Sequence, residues 1–564
     1  MTNKEEKDKN HVVEVENVSR WQKFKDSFKP ADLSYLDQEN LTDVERAAIA
    51  TANDPLSRRL KSRHLQMIAI GGAIGTGLFV GSGKSLHTGG PAALVIGFGI
   101  IGIMLYCTVQ ALGELAVTFP VSGAFSTYST RFIDPAWGFA MGWNYGIQWL
   151  VALPLELVAA SITIGYWHSD ISPAAWVAIF WTMVLVINLF GVKGYGEAEF
   201  AFSIIKVTAV VGFIILGIIL NCGGGPKGGY IGAKYWYDPG AFANSFKGVC
   251  TVFVNAAFAF TGTELVGLAA AETANPRKSV PSAAKQVFWR ITLFYMVSLT
   301  IVGLLVPYDD DSLMGSSDVD ATASPFVIAI ENAGIGGLPS VINAVIMIAV
   351  LSVGNSAVYA CSRTLASLSS QGFAPRILAY VDRSGRPLAS ICVVMTFGLL
   401  CFLAASDKQQ EVFNWLFALA GLSLIFAWGS ICLCHIRFRR ALKLQGRSTD
   451  EIAFTSQVGV IGSWIGLVIN ILVLVFQFWI ALFPLGEPPD PEAFFQEYLS
   501  APIVVVLYIF WKVYKKPPFV HTRDIDVDTG RRDIDLDRIK QEIAEEKEYI
   551  RSKGWWYRVY KFWC

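Results

Sequence analysis

Apolar residues in this chain come in long unbroken runs, not in the alternating or 3.6-residue patterns of water-soluble elements. A bilayer core needs about 20 such residues per helix. Runs of this order lie at 65–83, 91–118, 136–163, 173–192 and 199–220. A second set follows at 243–269, 285–306, 338–361, 387–405 and 411–435, and two more lie at 461–483 and 499–514. The pattern predicts an all-α membrane protein with twelve spans. A polar tail would occupy 1–63, two five-helix repeats 64–220 and 243–437, a final helix pair 461–514, and a second tail 515–564. A short helix capped by Ser324-Pro325 is expected on the outer surface between the seventh and eighth runs. With no signal peptide ahead of it, the first span would serve as its own insertion signal.

Two of these runs carry a backbone irregularity. The first reads Ile70-Gly71-Gly72-Ala73-Ile74-Gly75-Thr76-Gly77, the sixth Phe258-Ala259-Phe260-Thr261-Gly262-Thr263-Glu264. Each glycine costs about 1 kcal/mol against alanine inside a helix, so four within seven residues invite unwinding. Non-helical backbone at membrane depth is tolerated only beside protein or a water-filled cavity. Glycine-rich stretches also mark tight helix packing. Here the two breaks occupy the first helix of successive five-helix sets, the arrangement of an inverted repeat with its substrate site at the repeat interface. A half-helix beginning after Gly75 offers bare N–H groups to a carboxylate. The carbonyls ending the preceding halves suit an ammonium group. A zwitterionic α-amino acid presents both, and the candidate contacts are Ala73, Ile74, Gly75, Thr76 and Gly77 with Phe258, Ala259, Phe260, Thr261 and Glu264.

Basic residues orient the chain. Fifteen, including Arg131, Arg277, Arg290 and Arg363, fall in loops on the side of the N-terminus, against five, including Lys84 and Lys247, on the other. Both termini are therefore expected in the cytoplasm. Only 16% of residues are charged, below the roughly 25% of soluble domains. The 46 basic and 46 acidic residues balance, which gives no sign of a nucleic-acid partner. Most of the nine cysteines, among them Cys107, Cys361, Cys392 and Cys401, fall inside apolar runs as small buried residues, and Cys432-Leu433-Cys434-His435 lacks the second pair a zinc site needs. No metal or cofactor is expected. Gly81-Ser82-Gly83-Lys84-Ser85 has part of a phosphate-binding loop, but the required upstream glycine is Leu78, so a secondary rather than an ATP-driven mechanism is expected, and no enzyme chemistry is indicated.

These motifs resemble those of the fungal amino-acid permeases of the amino acid–polyamine–organocation superfamily. The resemblance runs from about Leu60 to Cys564. It rests on Gly71 to Phe79, Phe119-Pro120-Val121-Ser122-Gly123, Leu153-Pro154-Leu155-Glu156, Gly262-Thr263-Glu264-Leu265, Phe413-Asn414-Trp415-Leu416 and the terminal Phe562-Trp563-Cys564. It implies a LeuT-like five-plus-five inverted repeat with two extra helices, proton-driven import of amino acids by alternating access, and a plasma-membrane location. It further implies that Thr76 and Gly77 hold the substrate carboxylate around the Gly75 turn. Carbonyls near Ala73, Phe258 and Thr261 would receive the ammonium group, and the ring of Phe258 would close over it.

Ionisable residues inside spans are functional by default. Lys206, within Phe202-Ser203-Ile204-Ile205-Lys206-Val207, is a candidate for proton coupling, against the alternative that it snorkels to the interface. In related proton-coupled permeases a lysine in this helix stands where sodium binds in sodium-coupled relatives. Glu264 is a second candidate, for substrate or proton. Glu114 and Glu272 are read as cytoplasmic gate residues pairing with Arg131, Arg277 or Lys278, and Glu156 as either pathway-lining or structural. Trp21, Phe24 and Phe28 with neighbouring lysines suit an interfacial helix or a disordered tail. The stretch 533–553 is amphipathic, and Cys564 is a candidate for S-acylation. Expected partners are the amino-acid substrate, protons, membrane lipids, and cytoplasmic trafficking and ubiquitination machinery on the tails. A sodium symporter or uniporter on the same fold, and an amino-acid sensor with little transport, are the rival readings.

Overall fold

The computed structural model describes residues 20–31, 41–53, 55–72, 74–168, 170–314, 324–405, 415–416, 419–486, 488–531, 541, 544–545, 548–550 and 552–557. Ala73, Phe413, Asn414, Cys564 and most of the amphipathic stretch 533–553 lie outside the described residues, and so do the roles expected of them.

Ahead of the apolar runs lie α1 (Arg20–Ser27) and α2 (Asp43–Ala52). A capping box opens α2: Glu45 N–H donates to Thr42 Oγ1 at 3.2 Å, and Thr42 N–H to the Glu45 carboxylate at 2.9 Å. Such a cap contributes about 1 kcal/mol. The first apolar run then folds as three pieces, α3 (Ser62–Gly71), α4 (Thr76–Phe79) and α5 (Gly81–Gly89). The partial phosphate-loop sequence is thus the start of a helix. Next come α6 (Pro91–Thr118), α7 (Ala124–Phe132), α8 (Pro135–Ile164), α9 (Pro173–Leu189) and α10 (Gly191–Asn221).

The sixth run is again divided, into α11 (Ser245–Ala259) and α12 (Leu265–Ala269). Helix α13 (Pro276–Arg290) passes through a π-helical stretch, Ile291–Val297, into α14 (Ser298–Leu305). The chain continues with α15 (Pro325–Asn332), α16 (Leu338–Ser370), α17 (Leu388–Gly398), α18 (Ser423–Leu444) and α19 (Gly459–Leu482). It closes with α20 (Pro491–Tyr498) and α21 (Ser500–Lys515), which meet at 68°. Pro91, Pro135, Pro173, Pro276 and Pro491 each start a helix, where the missing N–H has no intrahelical partner to lose.

Among the described residues, seven helical runs are long and apolar enough to cross a bilayer, or eight with the bent α20–α21 pair as one. Pro173–Leu189, Ser245–Ala259 and Leu388–Leu403 are shorter apolar helices. Helices α8 and α16 form the centre of the bundle and are almost wholly buried. By contrast, α10 exposes Ile204, Val211, Ile215 and Ile218, and α19 exposes Ile461, Ile465, Val468 and Val475, on stripes with helical spacing.

Two expectations are corrected. Helix α15 exists but does not lie on the surface: Pro325 to Ile330 are buried, and Phe326 packs its ring 5.2 Å from Phe79 and 4.5 Å from Phe213. Arg290 is not a loop residue. It sits midway along the 30-residue run Pro276–Leu305 and is buried. Phe28 lies beneath the Arg386 guanidinium, 4.4 Å from its ring centre, while Tyr380 Oη donates to the Phe28 carbonyl at 2.5 Å. This anchors the end of α1 on the chain between α16 and α17, while the side chains of Trp21 and Phe24 lie outside the described residues.

The chain after α21 forms a strap across the ends of α7 and α18. Arg131 donates to the carbonyls of Asp526 (3.1 Å) and Thr529 (2.8 Å), and Gln445 to that of Ile525 (2.8 Å). Arg437 donates to the carbonyls of Phe132 and Val520. Arg447 bridges Asp528 and Glu451, both at 2.6 Å. Burial works to raise the Asp526 carboxyl, but hydrogen bonds from Thr529 and Asp528 outweigh it and hold the group below the usual range.

The two divided runs touch where glycine removes the side chain. A methyl group at Gly77 would overlap the backbone of Ala259, whereas one at Gly81 meets nothing nearer than the Thr76 carbonyl at 4.0 Å. Gly77→Ala is expected to destabilise the protein by about 1–3 kcal/mol, and Gly81→Ala to leave it unchanged or stabilise it slightly. Thermal unfolding of the two variants in the same detergent checks the contrast.

Candidate functional site

The first interruption begins where Gly72 N–H makes the last regular bond, to Ile68 O at 3.0 Å. Gly75 is extended (φ −149°, ψ −153°), and α4 restarts at Thr76. Leu78 and Phe79 N–H both reach Gly75 O at 3.2 Å. The first-turn N–H groups of Thr76 and Gly77 consequently have no intrahelical acceptor.

In the second interruption Phe260 N–H is shared between the carbonyls of Ala256 and Ala257, both at 3.1 Å, and Thr261 N–H reaches Phe258 O at 3.0 Å. Gly262 has φ +94°, a left-handed conformation that glycine alone adopts freely. Its N–H donates to the Glu264 carboxylate at 3.1 Å, and Thr263 Oγ1 donates to Phe260 O at 2.7 Å.

Between the interruptions lies a cavity with about 380 Å³ of empty space. The first interruption contributes Gly75, Thr76 and Gly77, and the second contributes Phe258, Ala259 and Thr261. Helix α8 adds Gln148, Trp149, Ala152 and Glu156; α16 adds Val353; Ala420 closes the wall ahead of α18. Three buried polar atoms on the lining residues, Gln148 Oε1, Trp149 Nε1 and Thr261 Oγ1, find no hydrogen-bond partner among the described residues. Buried polar atoms are nearly always paired, so orphans facing a cavity mark it as built for a polar ligand. Glu156 stands opposite, accepting from Thr76 Oγ1 at 2.5 Å.

The sequence profile of the amino acid permease family matches residues 64–523. The chain belongs to the amino acid permease family. It is 65% identical to the general amino-acid permease GAP2 of Candida albicans over 546 residues, 96% of this chain and 93% of that one. It is 62% identical to the general amino-acid permease GAP1 of Saccharomyces cerevisiae over 561 residues, 98% of this chain and 93% of that one. It is 52% identical to the histidine permease of Saccharomyces cerevisiae over 531 residues, 93% and 88% of the two chains.

Beyond the cavity wall, α10 delivers a buried ion pair to the centre of this family member. Lys206 Nζ donates to Ser352 Oγ at 2.8 Å and lies 3.4 Å from Glu199, and Ser352 Oγ donates to the same carboxylate at 2.7 Å. All three side chains are fully buried, so Lys206 turns into the bundle instead of snorkelling.

Among the residues singled out from the sequence, Gly75, Thr76, Gly77, Glu156, Phe258, Ala259 and Thr261 meet at the cavity, and the other described ones do not. Ile74 is core, and the Phe260 ring packs at a tilt with its centre 4.3 Å from that of Tyr295. Glu264 lies behind the second interruption, accepting from Tyr145 Oη at 3.3 Å. Glu272 and Glu114 form separate buried clusters. Arg363 grips Glu272 with two bonds of 3.2 and 3.3 Å. Glu114 joins Arg439 (2.6 Å), His435 (3.1 Å) and Ser456 N–H (2.7 Å). Arg131, expected to pair with one of them, serves the strap.

Gln148, Trp149, Ala152, Val353 and Ala420 had no local mark in the sequence. Glu199 had one: it precedes Lys206 by seven residues, two helical turns along the same face.

The Arg363–Glu272 pair gives a stability test. Glu272→Gln leaves a buried guanidinium short of its counter-charge and is expected to cost about 3–5 kcal/mol. Glu272→Leu with Arg363→Met removes both charges and should recover most of that. Thermal unfolding of the single and double variants decides it.

Proposed function

We propose that this chain imports α-amino acids across the plasma membrane together with protons. The observation that carries the reading is the pair of helix interruptions facing one cavity with unpaired polar atoms on its walls. In this reading the interrupted and short helices join the long ones to give twelve spans. Five plus five are related as inverted repeats, with the site at their interface and both termini in the cytoplasm. Residues 1–63 and 515–564 are the cytoplasmic tails, 64–220 and 243–437 the repeats, and 461–514 the extra pair. The printed names of the relatives support amino acids in general as the substrate class.

The substrate carboxylate binds the N–H groups of Thr76 and Gly77, as the start of a helix favours. The ammonium group meets the freed carbonyls around Phe258 and Thr261 with Thr261 Oγ1 and Gln148 Oε1, and the Phe258 ring covers it. The substrate side chain extends toward Ala152, Val353 and Ala420, whose small size suits a broad range.

The charge balance supports proton coupling. Lys206 is paired with Glu199, while Glu156, at the cavity wall, has no basic partner at ion-pair distance among the described residues. A carboxylate buried in that way is stable when it takes up a proton. Proton uptake on Glu156 with the substrate, and release on the other side, gives symport. The Lys206 ammonium fills the place a sodium ion would need, and Glu264 with Tyr145 closes the far side.

Purified protein in sealed vesicles tests this. An inward proton gradient should drive accumulation of labelled amino acids, a protonophore should abolish it, and a sodium gradient alone should not replace it. Uptake that needs sodium and ignores the protonophore would overturn proton coupling. Thr76→Trp is expected to weaken amino-acid binding by at least ~100-fold, about 2.8 kcal/mol. Lys206→Met and Glu156→Gln should lose accumulation while the protein still reaches the membrane.

A further inference from the structure

Arg290 is a cation buried at the centre of the bundle that the transport chemistry above does not use. One guanidinium nitrogen donates to the Ala69 carbonyl, in the last turn of α3, and the other to Thr263 Oγ1, in the second interruption. Nε has no hydrogen-bond partner among the described residues.

The π-helical stretch follows at once, Ile291–Val297. Its five-residue hydrogen-bond repeat brings Tyr295, five residues on, toward the same region. Tyr295 Oη donates to the Ala259 carbonyl, the last residue of α11, at 2.8 Å. One helix therefore supplies a donor to the end of each half-helix that precedes a break. A buried charge of this kind is weak evidence for stability, since apolar replacements are often neutral or better. Its retention in an apolar run points to a geometric duty. The planar fork of arginine can hold two acceptors at a fixed spacing, which a lysine point charge cannot.

We propose that Arg290 is a positioning residue that locks the two interruptions into one rigid unit, fixing the distance between the groups that read the two ends of the amino acid. The inference rests on the binding site proposed above. A two-headed ligand gains from that lock because its second contact forms at high effective concentration once the first is made. A ligand with one head gains nothing. Loss of Arg290 therefore lowers discrimination between a zwitterion and its one-ended analogues, not merely affinity.

The test is equilibrium binding to the purified full chain with three probes of one carbon skeleton: L-leucine, isoamylamine, which lacks the carboxylate, and isocaproate, which lacks the ammonium group. In Arg290→Met, the preference for leucine over either analogue should fall by roughly tenfold. Thr263→Val should change it in the same direction, and Arg290→Lys should be intermediate. If Arg290→Met does not fold, Thr263→Val and Arg290→Lys carry the test. An unchanged preference in these variants, whether affinity is kept or falls in parallel for all three probes, overturns the proposal. Thr76→Trp in the same assay separates the two readings. Unaltered leucine binding there would sink the site itself. Lost leucine binding with an unchanged preference in the Arg290 and Thr263 variants would sink the role of Arg290 alone.

Discussion

Interrupting a helix inside an apolar bundle exposes peptide groups that water cannot reach, each worth several kcal/mol if left bare. Much of the centre of this molecule answers that constraint. Arg290 and Tyr295 supply donors to the ends of α3 and α11, Thr263 closes on Phe260 O, and the Glu264 carboxylate receives Gly262 N–H. After these pairings, the first-turn N–H groups of Thr76 and Gly77 remain on the side facing the cavity, beside the orphan atoms of Gln148 and Thr261.

The same economy governs the charges. Lys206 with Glu199, Arg363 with Glu272, and Arg439 and His435 with Glu114 are buried and neutralised within side-chain reach. Two of them tie elements far apart in sequence, α16 to the flank of α12 and α18 to α6, while Lys206 and Glu199 share α10 and reach α16 through Ser352. Such pairs add little net stability, but each breaks all at once, which suits a bundle that moves between a few discrete arrangements rather than bending continuously. Glu156 departs from the pattern and faces the cavity.

The fold was largely legible because its strongest features are local. Runs of apolar residues announce helices, and glycine clusters announce where those helices fail. Gly71 to Gly77 and Thr261 to Gly262 were found in this way, and family motifs reinforced them. What stayed hidden depends on rotation about helix axes. Nothing near Val353 or Ala420 tells which way they face, since α16 and α18 are apolar on nearly all sides. Arg290 was misread because charge counting treats an arginine beside Lys285 as loop, whereas α13 starts at Pro276 and carries it to mid-helix. Short α15 was read correctly as a helix. Its burial against Phe79 and Phe213 is a tertiary fact with no local trace.

The strap after α21 is gripped mainly through carbonyl oxygens: Arg131 on Asp526 and Thr529, Gln445 on Ile525, Arg437 on Val520. A main-chain oxygen is present whatever the side chain, so this segment can drift in composition and stay fastened. Its length has no such freedom. Removing one residue between Val520 and Asp526 would shift the whole register, swapping peptide oxygens for hydrogens opposite the guanidinium groups. Variation in this stretch is therefore constrained by spacing rather than by letter, a signature that substitution patterns alone would overlook.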